Sequence, residues 1–485
     1  MRGQERGRRA WTRGAAWRRG IGAVAVTLAL SAPAAAETLA DALIGAYRSS
    51  GLLQQNRALL RAADEDVAIA VSALYPVINW VLSGDYTVSR VDTGPAEVNQ
   101  LTGQVLRPGG EQTTEETSAS LAITGQLTLY DGGQNRLAID AARETVLATR
   151  FSLRDVEQQV LLRAVVAFFG VLRDQEFVSL RQNGLRLIEE ELSAAQDRFE
   201  VGEITRTDVS LAEARLAEAR SFLSAAEGDL AQSREEYLAV VGRYPGDLVL
   251  PSVPPQPAVS VEAARAVAVR THPSILEQQR NVTVGEINIR RAYAERRPAL
   301  TLGARSSLFD GGDRSSALTL ELGGPIYQGG RLDALYRQAV ARAEAARAVL
   351  LVTTEEVRQD VAVAFSNLRV AQATLEASQR QAEAQEVAFE GTREEATLGA
   401  RTTLDVLDAE QDLLDARTNV AAASTNQYIA AYQLLAAMRL LTVEELELGV
   451  VQYDPAAYYE AVEDAPLLSP QGRALDRVLK SLDRD

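Results

Sequence analysis

A nine-residue stretch is written twice in this chain, as Val201-Gly202-Glu203-Ile204-Thr205-Arg206-Thr207-Asp208-Val209 and as Leu398-Gly399-Ala400-Arg401-Thr402-Thr403-Leu404-Asp405-Val406, with 197 positions between equivalent residues. At the same offset Tyr130-Asp131-Gly132-Gly133 matches Tyr327-Gln328-Gly329-Gly330, and Val166-Ala167-Phe168 matches Val363-Ala364-Phe365. The chain is a tandem duplication. A period this long fits two copies of a large unit and is far too long for a solenoid of small repeats. The first repeat is expected over 37–250 and the second over 260–441, with the Pro-rich stretch 251–259 as the linker and 442–485 as a C-terminal segment.

The first 36 residues carry seven Arg and one Glu, an apolar run from Ile21 to Ala32, and Ala34-Ala35-Ala36. That is the pattern of a signal peptide cut after Ala36, so the mature chain is expected to begin at Glu37 and to be exported. It then holds 43 basic against 65 acidic side chains, a net charge of −22. Such a balance argues against nucleic acid as a partner, because a phosphate-binding surface needs a basic stripe. The absence of Cys excludes disulfides, thiolate metal sites, a Cys nucleophile and a lipid on Cys. His272 is the only histidine, and Thr271-His272-Pro273 is expected to start a helix with Thr271 as its cap. No catalytic constellation, metal site or cofactor motif emerges, and there is no Walker-type phosphate loop.

No segment after the leader has 18 consecutive apolar residues, so any membrane span must be made of strands. Four segments alternate in the required way, at about 77–90, 118–130, 299–308 and 316–327. In the second of these Leu121, Ile123, Leu127 and Leu129 alternate with Ala122, Thr124, Gln126 and Thr128, which places a greasy face opposite a polar one. Alternation alone also suits an amphipathic sheet in water. Four strands cannot close a barrel, since closure takes about eight or more, so several chains would have to share one.

The rest reads as helix, rich in Ala, Glu, Arg, Gln and Leu. Gln134 to Glu200 and Arg331 to Thr397 are expected to form two very long helices, each about 100 Å at 1.5 Å per residue. Glu37 to Leu74, Asp208 to Val241, Ser260 to Arg296 and Leu404 to Leu440 are each about half that length, so two laid end to end match one long helix. The strand hairpins then lie at one end of a helical shaft, with the turns at Gly202 and Gly399 at the other.

These residues resemble the TolC family of outer-membrane export channels. The likeness rests on the two helix-hairpin-helix repeats, on the strand-ending Leu129-Tyr130-Asp131-Gly132-Gly133 and Pro325-Ile326-Tyr327-Gln328-Gly329-Gly330, and above all on the run from Gly399 to Asp408. The resemblance implies a mainly α fold with a β-barrel portion. Three chains would build a twelve-stranded barrel in the outer membrane and a long α-helical barrel through the periplasm, ringed by an equatorial collar that includes 442–485. It implies a passive exit duct serving a tripartite efflux pump or a type I secretion system. The implied partners are further copies of the chain in a homotrimer, outer-membrane lipid, a periplasmic adaptor and an inner-membrane transporter of ABC or RND type. A soluble periplasmic coiled-coil adaptor or scaffold is the alternative.

Carried over residue by residue, Asp405 and Asp408 match the family's gate acids at the periplasmic tip, where three chains would supply two stacked carboxylate rings that select for cations. Arg401 matches an arginine that ties this helix pair to Thr207 and Asp208 of the first repeat. The turns around Gly202, Thr205, Gly399 and Thr402 would dock the adaptor, while Gly132, Gly133, Gly329 and Gly330 turn strands into helices. Ala396 stands where the family often has an aromatic residue, which implies a gate bonded differently. Thr402 and Asp405 also have the spacing of a helix-capping box, as do Thr205 and Asp208, so capping alone accounts for Asp405. It does not account for Asp408, whose equivalent in the first repeat is Leu211.

Overall fold

The computed structural model describes residues 37–463 apart from 93 and 108, together with 473 and 477. The expected leader, 1–36, and most of the tail beyond 463 lie outside the described residues. The first repeat runs α1 (Leu39–Ser49), α2 (Gly51–Ser72), β1 (Val77–Asp92), β2 (Glu97–Val98), β3 (Val105–Arg107), β4 (Glu111–Tyr130), α3 (Gln134–Glu200) and α4 (Arg206–Val241). The second runs α5 (Val261–Thr271), α6 (Pro273–Ala294), β5 (Ala299–Phe309), β6 (Arg314–Gly323), α7 (Arg331–Thr397) and α8 (Thr403–Ala437), and α9 (Pro455–Val462) follows. The duplication extends to the lengths: α3 and α7 have 67 residues each, α2 and α6 have 22, and α1 and α5 have 11.

Both N-terminal helical segments are broken in two, the first where one helix was expected and the second at the helix start expected beside Pro273. Ser50, at φ −63 and ψ 111, ends α1, and its hydroxyl accepts a bond from the Leu53 N–H at 3.2 Å to start α2. At the matching point His272 is extended because the ring of Pro273 disfavours helical geometry in the residue before it. His272, rather than Thr271, is the cap, with Nδ1 accepting from the Ser274 N–H at 3.3 Å. The Thr271 hydroxyl instead donates to the Val267 carbonyl at 3.0 Å, inside α5.

The four long strands form one antiparallel sheet in the order β1-β4-β5-β6. Directly paired residues share a face, so register shows what each face carries. Trp80 pairs with Ile123, Leu82 with Leu121, Leu121 with Leu308, Leu127 with Leu302, and Leu302 with Leu320, which makes one continuous apolar face. The opposite face carries Asn79, Thr124 and Arg305 in one row and Thr128, Thr301 and Glu321 in another. In the isolated chain the apolar face is bare, with Trp80 73% and Leu318 76% exposed. β1 pairs with β4 all the way to Asp92 and Glu111, well past the end of the β5–β6 hairpin, and β2 and β3 form a small hairpin beyond. β6 stops at Gly323, and Gly324 to Gly330 leads into α7. Gly132, Gly133, Gly329 and Gly330 all have positive φ at these strand-to-helix passages, where a side chain would be strained.

The largest core sits at the middle of the shaft, where α1 and α4 pack on α3. Phe168, Phe169 and Tyr237 are fully buried there, and Phe169 stacks on Tyr428 with ring centroids 5.0 Å apart. Removing a ring such as Phe169 by substitution with Ala would cost about 3–5 kcal/mol by transfer and cavity terms. Glu37 closes this region. Its carboxylate accepts from Tyr237 Oη at 2.6 Å, Arg243 Nη2 at 2.7 Å and the Gly246 N–H at 2.9 Å. Burial opposes its ionisation, but these bonds prevail and hold the carboxyl below its usual range. The C-terminal segment lies against the same level of the shaft: the Val443 N–H donates to Glu157 at 2.9 Å, and Tyr458 donates to Glu65 of α2 at 2.7 Å.

Candidate functional site at the paired helical turns

The two duplicated turns have one geometry. α3 ends with the Gly202 N–H on the Phe199 carbonyl and the Glu203 N–H on the Arg198 carbonyl, at 3.0 and 2.9 Å. α7 ends with the Gly399 N–H on Ala396 and the Ala400 N–H on Glu395, at 3.0 and 2.9 Å. Both glycines are left-handed, at φ 81 and 78, which is the conformation this helix stop requires. Three residues on, Thr205 and Thr402 start α4 and α8 with complete capping boxes. Asp405 Oδ2 accepts from the Thr402 N–H and hydroxyl, both at 2.8 Å, and Asp208 does the same for Thr205 at 2.9 and 2.8 Å. The backbone bond, then the hydroxyl bond, keeps each of these carboxyls below its ordinary range.

Asp408 is one turn further along α8, exposed and on the same side as Asp405. Within one chain it meets Arg215 of α4, whose Nη2 donates to Asp408 Oδ1 at 2.5 Å while Nη1 holds Glu218 at 2.9 Å. This pair joins the second repeat to the first. Arg401 does not make that connection here: its Nε donates to Glu395 at 3.0 Å, within its own turn. Asp208 is occupied by its cap, and Thr207 is exposed. Ala396 packs against the Phe389, Val406 and Leu413 cluster where the family often has an aromatic side chain.

Sequence reading missed two residues. Arg215 had a signal, because its equivalent in the second repeat is Asp412, so the duplication reverses charge at that position. Glu410 had a subtler one: it falls at helical spacing among Val406, Leu407 and Leu413, all buried on the inner face of α8. It is 4% exposed and neither carboxylate oxygen has a hydrogen-bond partner. Burial pushes it up to about 7, helped by Glu191 and opposed by Arg393. Among the described residues no group of His, Cys, Asp and Glu side chains could hold a metal ion, and no helix is long and apolar enough to cross a membrane.

The sequence pattern of outer membrane efflux proteins matches residues 46–243 and 266–438, which is both repeats. The chain belongs to the outer membrane efflux protein family. Outer membrane efflux protein BepC of Brucella suis is 35% identical over 449 residues, covering 91% of this chain and 94% of BepC. Outer membrane protein TolC of Escherichia coli is 25% identical, covering 85% of this chain and 84% of TolC. Among solved structures the Campylobacter jejuni CmeC outer membrane channel superposes with a TM-score of 0.70 at 14% identity, over 88% of this chain and 89% of CmeC. An outer membrane efflux protein is a channel of the outer membrane that extends into the periplasm, and the two halves of the fold take those places. The sheet of β1, β4, β5 and β6 belongs to the outer membrane, and the helical shaft lies in the periplasm.

Proposed function

We propose that three copies of this chain form a passive exit duct, recruited by a periplasmic adaptor and an inner-membrane transporter of ABC or RND type to move cargo from the cell to the outside. The observation that carries this reading is the four-stranded sheet. Its apolar face is continuous, β1 and β6 are left as open edges, and four strands are too few to close a barrel. Pairing β6 of one copy with β1 of the next closes twelve strands around the polar face. The shaft supports the same assembly: Val349, Val352, Val363, Val370 and Val387 of α7 are exposed along the helix in the single chain.

Asp405 and Asp408 are then the gate. Cap and gate coexist in Asp405, because both capping bonds fall on Oδ2. The turns at Gly202, Thr205, Gly399 and Thr402 are solvent-facing ends of the shaft and are the surface for the adaptor. The relatives include both uses of such a duct, since one is named as an efflux protein and another, PrtF of Dickeya chrysanthemi, as a proteases secretion protein at 27% identity. The test is conductance of the purified protein in planar bilayers. The closed duct should prefer cations and be blocked by multivalent cations, and Asp405→Ala with Asp408→Ala should weaken both effects while light scattering still reports a trimer. Unchanged selectivity and block in that double variant would place the gate elsewhere.

A further inference from the structure

Three segments meet beside the shaft, and each brings arginine to the same point. Arg57 of α2, Arg150 and Arg154 of α3, and Arg439 just past α8 line one partly open cavity of about 110 Å3. The Nε atoms of Arg57, Arg150 and Arg439 are buried without a hydrogen-bond partner. Aromatic rings hold the guanidinium groups in place: Arg57 lies 5.0 Å from the Tyr47 ring and 5.3 Å from that of Tyr453, and Arg150 lies 5.1 Å from that of Tyr459.

The backbone adds a second, independent observation. Arg439 has φ 65, one of two non-glycine residues with positive φ among those described. It occupies the position after a helix where glycine is favoured, and an L side chain is strained there. Strain that the chain retains at such a point directs attention to what the side chain does. Two carboxylates also line the cavity. Glu157 accepts from the Val443 N–H, and burial pushes its carboxyl up, so it ionises less readily than a free one; Glu444 is the other. Asp64, beside Arg150, is buried with both oxygens unpartnered and takes up none of these donors.

We propose that this cavity binds a small doubly charged tetrahedral oxyanion of the phosphate or sulfate class, which clasps α2, α3 and the C-terminal segment together. Buried donors without acceptors are rare in folded proteins, and an oxyanion supplies several acceptors at once. The lipid bilayer does not supply it: Arg150 is 16 residues into α3, about 24 Å along the shaft from the strands.

The test uses the full chain in detergent, with calorimetry and thermal unfolding in sodium phosphate, sodium acetate or sodium chloride at matched ionic strength, and with a short-chain phosphatidic acid in a separate arm. Phosphate should bind and raise the unfolding temperature, and acetate and the lipid should not. Arg57→Met should weaken phosphate by about tenfold or more, the scale of one charge-assisted hydrogen bond. Arg439→Gly should abolish the phosphate effect while leaving ligand-free stability equal or higher, because glycine suits φ 65. A purely structural arginine would give the opposite, a less stable chain with the phosphate response intact. Phosphate acting no better than chloride, a stronger response to acetate or to the lipid, or an unaltered phosphate response in Arg439→Gly would each overturn the proposal.

Discussion

The ion pair between Arg215 and Asp408 gives a quantitative forecast for the gate. It joins α4 to α8 at the tip beside the packing of Leu407 on Ala212 and Leu216, so moving the second-repeat helix pair away from the first must break it. The side chains are 35% and 52% exposed, which makes it a surface pair. Such pairs contribute about 0.2–1 kcal/mol each. In a trimer three break together, so the closed state loses about 0.6–3 kcal/mol and the ratio of open to closed ducts rises about 3- to 150-fold. Single-channel recording of Arg215→Ala at 0.1 M salt should show that rise. At 1 M salt the wild type should approach the variant, because the Debye length shrinks to about 3 Å. Asp408→Ala should raise the open fraction similarly while also changing selectivity, so open fraction is the readout that isolates the latch. The exchanged pair, Arg215→Asp with Asp408→Arg, should return the open fraction toward wild type. An open fraction in Arg215→Ala within twofold of wild type, or no recovery in an exchanged pair that still forms trimers, would refute the latch.

Three further outcomes are expected. Gly399→Val places a β-branched residue at φ 78 and should lower export and adaptor crosslinking while barrel insertion, some 100 Å away along α7, is retained; export assays beside outer-membrane fractionation decide it. Glu410 has a raised pKa in the packed tip, so its proton stabilises that packing; between pH 4.5 and about 7 the packing should weaken by on the order of 3 kcal/mol per chain, and Glu410→Gln should flatten the pH dependence of open fraction between pH 5 and 8. Glu37 is the reverse case: its pKa is lowered, so its contribution is present above pH 4.5 and is lost as pH falls through the depressed value. Glu37→Ala, which strands the buried Tyr237 hydroxyl, should cost about 3–5 kcal/mol and show as faster proteolysis of the shaft.

Much of the architecture was legible because its signals are long. Two stretches free of proline with strong helix formers become α3 and α7 with the bounds expected, since nothing inside them competes with the helix. The break at Ser50 carries little signal because a single residue leaves the helix and returns, which hardly disturbs the apolar periodicity on either side, whereas Pro273 marks the matching helix start and only the identity of its cap differs. Strand ends were misjudged for a related reason. Apolar alternation marks a strand only where both partners carry it, but the ladder between β1 and β4 continues through Thr87 to Asp92 and Glu111 to Thr117, where every β4 residue is polar and Val88 and Val91 are the only apolar residues of β1. At the tip, the capping boxes were visible as spacing within one segment. The partner of Asp408 was not, because Arg215 reaches it only through the packing of one repeat on the other, and the duplication that reveals the turns carries no information about which differences between the copies face each other.

The equal lengths of α3 and α7 turn the chain into a gauge. Each is a leg that runs from the strand end of the shaft to its tip, and the Gly202 and Gly399 turns are level only while the legs agree. Removing seven residues from α3 alone would raise its turn by about 10 Å and leave the Gly202 and Gly399 turns on different storeys. Removing seven from both, with matching cuts in the shorter helices stacked beside them, would keep the tip level and bring it nearer the bilayer. A duct fitted to a wider or narrower periplasm therefore has to change in both halves at once, by the same number of helical turns.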